Sequence, residues 1–123
     1  METMLYAAAA LTILIGCAHS YLGEKFILQR LFRRGNLPPI LGGTAFTQNT
    51  LRFAWHITTV AWWGFAALLV MMTQSSFSAS QVGQVIAIVF GIHFLVALIA
   101  SRGRHLSWVV FWGIAVLTWI ASG

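Results

Sequence analysis

The sequence predicts an all-α integral membrane protein: a single four-helix bundle, up-down-up-down, with both termini on the extracytoplasmic side. Three observations carry this. Of 123 residues, 59% are hydrophobic and only 7% charged, with a mean hydropathy of +0.85, whereas a soluble domain carries roughly a quarter charged residues. Four apolar stretches approach the ~20 residues that a helix needs to cross a bilayer. All seven basic residues fall in two of the three connections, or at their edges.

The first span covers about 4–22 and follows Met1-Glu2-Thr3 with no basic residue before it, so it reads as a retained span rather than a signal peptide. The segment 24–34 follows, within EKFILQRLFRRG. It sets apolar residues at 27, 28, 31 and 32 among Lys25, Arg30, Arg33 and Arg34. Two readings fit it: an interfacial helix with its cations on anionic head groups, or an extension of the first helix. Gly35 and the Pro38-Pro39 pair then turn the chain back.

The second span, about 52–72, contains RFAWHITTVAWWGF, and the uncharged link TQSSFSASQ leads to the third, about 82–100. The fourth covers about 105–121, just after Arg102 and Arg104. Without water in the hydrocarbon every backbone group needs an internal partner, so each span is a helix. The positive-inside rule places the first and third connections in the cytoplasm and the protein in a bacterial-type inner membrane. A net charge of +5 and a pI near 10.8 then report loop orientation and lipid contact rather than nucleic-acid binding. The single Cys17 excludes a disulfide framework within the chain, and there is no CxxCH for covalent haem.

Four histidines, His19, His56, His93 and His105, fall one to each helix. The derived topology gathers them into a layer roughly 10–15 Å deep in the cytoplasmic half. At helical spacing Ala8, Thr12 and Gly16 share the face of His19, Arg52, Thr59 and Trp63 that of His56, and Ala97 and Ala100 that of His93. Ionisable groups inside a membrane are expensive and usually functional, which makes all four candidate metal ligands. His105, between Arg104 and Ser107, also suits the head-group level. Of the tryptophans, Trp55, Trp108 and Trp119 fit interfacial belts. Trp62, Trp63 and Trp112 lie deeper, where packing and a ligand pocket are both open.

With only Glu2 and Glu24 as carboxylates, a di-iron site of facing glutamates is excluded. Zinc held by histidines would lack its usual carboxylate support. Haem b needs only one or two neutral imidazoles and an apolar slot. His19 with His93, or His56 with His93, would be its axial pair. Arg52, Arg102 and Arg104 lie at propionate level and Trp63 beside the slot. This arrangement of helical histidines in four spans resembles the four-helix membrane cytochromes b of the cytochrome b561-like type. The resemblance implies haem b and electron exchange with quinones. It departs from that pattern in having no histidine in the outer half. The expected function is therefore that of a small membrane protein carrying haem b, or another His-ligated metal, in electron transfer with a quinol. The alternative is a non-catalytic accessory or assembly subunit of a larger membrane complex, or a homo-oligomer; whether the chain is an enzyme stays open. A transporter has little support, because the spans hold no acidic residue.

Overall fold

The computed structural model describes all 123 residues and contains four helices and no named strand. The first, α1, runs unbroken over Glu2–Arg33. It is regular α-helix over Glu2–Leu22, widens to a π-helical stretch over Gly23–Leu28, and closes with an α-turn over Gln29–Arg33. The basic segment 24–34 is thus an extension of the first helix, the second of its two readings. It ends at Gly35, whose φ of +71° only glycine adopts without strain.

The second helix, α2, spans Ala45–Met71, α3 spans Ala79–Ala100 and α4 spans Ser107–Ser122. α2 begins seven residues before the expected 52. Thr47, Gln48, Asn49 and Thr50 are polar and give no hydropathy signal, yet they continue the helix, and the Thr47 hydroxyl donates to the Pro38 carbonyl (2.7 Å). α3 starts at a capping box in which Ser78 and Gln81 exchange side-chain and backbone bonds. Between α3 and α4 the chain reverses through Arg102 and Gly103, both at positive φ.

α1, α2 and α3 are long and apolar enough to cross a membrane, while α4 is apolar but shorter. The burial pattern agrees with a membrane protein. Only 12 residues are buried, and they are mostly small or polar: Ala9, Ala66, Ala87, Ala97, Thr59, Ser101 and His93 among them. Large side chains such as Leu11, Leu14, Leu117 and Ile120 point outward. Small residues let helix backbones approach where no hydrophobic force drives helices together.

The helices pack in chain order, α1 on α2, α2 on α3, and α3 on α4. Contacts at one end fix the alternation: Tyr6 of α1 meets Thr73 just after α2 (3.0 Å), and the Ser80 hydroxyl of α3 donates to the Ser122 carbonyl of α4. That end carries no Lys or Arg. All seven basic residues lie toward the opposite end, hereafter the basic end.

Candidate functional site

The candidate site forms where α1 and α2 meet near the basic end, and glycines make the approach possible. A Cβ on Gly16 would come within 2.9 Å of Trp63 Nε1, and one on Gly23 would fall inside the Trp55 indole. The π-stretch has a visible consequence for α1. The buried face runs through Gly16, Gly23 and Leu28, and the five-residue step from 23 to 28 follows the wider turn. Such turns concentrate at functional sites, and this one carries Glu24.

Adjacent residues of α1 point to opposite sides of the seam. On one side His19 stacks flat on Trp55, with ring centroids 4.6 Å apart and planes 2° from parallel. The two residues also exchange bonds. Trp55 Nε1 donates to the His19 carbonyl (3.0 Å), and His19 Nε2 lies 3.2 Å from the Trp55 carbonyl. On the other side Ser20 opens a continuous polar chain. Its hydroxyl lies 2.6 Å from Thr59 Oγ1 and 2.9 Å from His56 Nδ1, and His56 Nε2 lies 3.1 Å from Glu24 Oε2. Arg52 holds the same carboxylate as a fork, Nη2 to Oε1 at 2.9 Å and Nε to Oε2 at 3.1 Å. The face of Phe32 backs the guanidinium at 5.0 Å.

Counting protons narrows the direction of these bonds. The Thr59 hydroxyl donates to the Gly16 carbonyl (3.1 Å), and the single Ser20 hydroxyl proton serves either Thr59 or His56 Nδ1. Glu24 is ionised against Arg52 and accepts only, so His56 Nε2 must donate to it. Glu24 lies beyond the apolar span 4–22. Burial raises its pKa, but the hydrogen bonds from Arg52 and His56 outweigh that, and the carboxyl titrates below its ordinary range.

The chain borders a groove of about 510 Å³ lined by Cys17, Ser20, Tyr21, Glu24, Lys25, Gln29, Thr59 and Trp63. Of the α2 face that carries Arg52, His56, Thr59 and Trp63, Thr59 and Trp63 line it directly. The other two histidines lie elsewhere. His93, on α3, is buried between Phe90 and Phe111 and donates from Nδ1 to the Val89 carbonyl (2.7 Å). His105, before α4, sits against Phe46 and Phe53 of α2, with Nδ1 2.8 Å from the Ser107 hydroxyl. The four histidines therefore occupy four settings, and no three His, Cys, Asp or Glu side chains gather as a metal-ligating group. Both nitrogens of His56 are engaged, and so is Nε2 of His19. The sequence reading does not single out Ser20 or Glu24. Their signal was the run Gly16, Ser20, Glu24, which at four-residue spacing places a carboxylate and a hydroxyl on the small-residue face of α1.

Comparisons with family models, with curated proteins and with solved structures gave no match.

Proposed function

We propose that the protein is an integral protein of a bacterial-type inner membrane, with its basic end in the cytoplasm, and that the groove binds the polar head of a quinol-type amphiphile. The observation that carries this reading is the Ser20–His56–Glu24–Arg52 chain bordering a groove of about 510 Å³, a volume within the ~300–1,000 Å³ usual for small-molecule sites. Arg52 balances the Glu24 charge, and beside Lys25 the polar wall of Ser20, Gln29 and Thr59 offers hydrogen bonds to a neutral head. Ser20 and Glu24 line the groove with His56 bonded behind them, and they can exchange hydrogen bonds with a quinol hydroxyl. Trp63 and Tyr21 supply aromatic surface for the ring. The isoprenoid tail stays in lipid beside α1. The chain's own residues supply binding and proton exchange; an electron acceptor would come from a partner.

The test uses the full chain in detergent, with a benzoquinone bearing a decyl chain as titrant and tryptophan emission as readout. Saturable quenching is expected, reduced in amplitude by Trp63→Phe and weakened about fivefold by His56→Ala, the equivalent of one lost hydrogen bond. Quenching that never saturates, or that His56→Ala leaves unchanged, would overturn the reading.

A haem b or other metal held by histidine is a second reading, favoured by one observation. The bond from His93 Nδ1 to the Val89 carbonyl leaves Nε2 as the lone-pair nitrogen of a neutral imidazole, the form that ligates metals. The space beside it, lined by Gly64, Phe65, Val89 and Phe90 among others, is about 200 Å³, below the usual range for a small-molecule site. Helices α2 and α3 would have to part to admit a macrocycle. On this reading, protein from haem-replete cells shows a Soret band that His93→Ala abolishes; a colourless, metal-free preparation sinks it.

A further inference from the structure

The extension of α1 carries four cations, Lys25, Arg30, Arg33 and Arg34, over ten residues, and no carboxylate answers them. Glu24 is taken by Arg52 and His56, and Glu2 sits at the far end of the same helix. These cations are not equivalent. Lys25 leans on Tyr21, with Nζ 3.3 Å from its hydroxyl, and Arg33 Nε is tied to the Gln29 carbonyl at 3.2 Å. Arg30 and Arg34 are exposed and make no hydrogen bond or ion pair to any side chain. They flank a shallow cavity of about 340 Å³ whose other walls are Phe26, Ile27 and Leu31. The Arg30 guanidinium lies 5.4 Å from the Phe26 ring centre, so the stripe alternates apolar surface and positive charge along one side of the helix.

We propose that this stripe is a binding site for one anionic glycerophospholipid, with its phosphate between Arg30 and Arg34 and its acyl chains along Phe26, Ile27 and Leu31. The inference rests on the membrane placement above but is independent of what the groove binds. Charge complementarity supports it. Arg30 and Arg34 stand eight and twelve residues past the end of the apolar span, roughly 12 and 18 Å along the helix axis, so this end of α1 inclines toward the head-group layer, about 5–8 Å thick, when the lipid is bound. Helical side chains lean toward the helix N-terminus, which here is toward the membrane. Guanidinium groups at 30 and 34 thereby reach back to the phosphates while their stems cover apolar surface. Leu28, buried against the rest of the fold, fixes which side of the helix the stripe occupies.

The test is native mass spectrometry of the full chain in a zwitterionic detergent, offered equal amounts of short-chain phosphatidylglycerol and phosphatidylcholine. The expected result is a preference for phosphatidylglycerol on the order of tenfold, the scale that two cations near an anionic surface supply. The double variant Arg30→Gln/Arg34→Gln should bind the two lipids equally, while Arg33→Gln keeps the preference. All three positions are exposed, and unchanged helicity by circular dichroism confirms that the double variant is folded. Equal binding of both lipids by the unmodified protein overturns the site, as does a preference that survives the double substitution. Millimolar inorganic phosphate that abolishes the preference would identify a phosphate-ion site in place of a lipid site.

Discussion

Replacing Gly23 with valine is expected to part the basic ends of α1 and α2 and to cost about 3 kcal/mol or more. The Trp55 indole occupies the space that any side chain at position 23 would need. It cannot swing aside cheaply, because the His19 ring lies flat against it and the His19 carbonyl accepts its Nε1–H. Overpacking a close contact costs ~1–3 kcal/mol, and stranding the indole N–H in an apolar setting adds ~1–3 kcal/mol more. Displacement of α1 by even an ångström would also lengthen the contacts from His56 to Ser20 and Glu24, now 2.9 and 3.1 Å. Thermal unfolding followed by tryptophan emission measures the loss. Gly91→Ala is the control: nothing lies within 4 Å of a Cβ there, and an alanine in mid-helix gains up to ~1 kcal/mol over glycine. If the valine variant unfolds no earlier than this control, the close α1–α2 seam is not what holds the site together.

The seam also shows where the sequence was legible and where it was not. Apolar length and the placement of seven cations are properties of single residues summed over a window, and they sufficed for the helices and their alternation. The N-terminal turns of α2 escaped because Thr47 to Thr50 leave the apolar layer without leaving the helix, and hydropathy registers only the first of these. Gly35, followed by Pro38-Pro39, by contrast marked the end of α1 through local backbone rules. The site is a property of pairs. Taken one per helix, the histidines look like a set, yet His19 and His56 lie on opposite sides of one seam, and His93 and His105 pack among phenylalanines. Their grouping depended on the order in which the helices pack, which no single residue encodes. Glu24 looked like a stray carboxylate outside the spans. What brings it onto His56 and Arg52 is a wider turn at Gly23–Leu28, and the side chains EKFIL do not announce one.

Removing the Glu24 charge tests whether that carboxylate organises the chain of polar contacts. Glu24→Gln is expected to destabilise the protein by about 2 kcal/mol. Hydrogen bonds to charged groups contribute ~1.5–3 kcal/mol, and the figure stays below that of a fully buried pair because the Glu24 and Arg52 side chains are 27% and 43% exposed. Arg52→Gln alone should cost less, since His56 still faces the carboxylate. The double variant should cost less than the sum of the two, and that difference isolates the Arg52–Glu24 coupling. The pH profile supplies an independent check with a definite sign. Because the folded protein lowers the Glu24 pKa, its unfolded form holds the proton more tightly. The stabilisation is therefore complete above the ordinary glutamate range and is lost as pH falls through the lowered folded value. Glu24→Gln has no proton to exchange at this position, so its stability should fall less steeply over the same acidic interval, and the two profiles should converge toward low pH. Profiles that stay parallel would mean that Arg52 and His56 hold their positions without the carboxylate, and the centre of the site would then move to the Ser20–Thr59 pair.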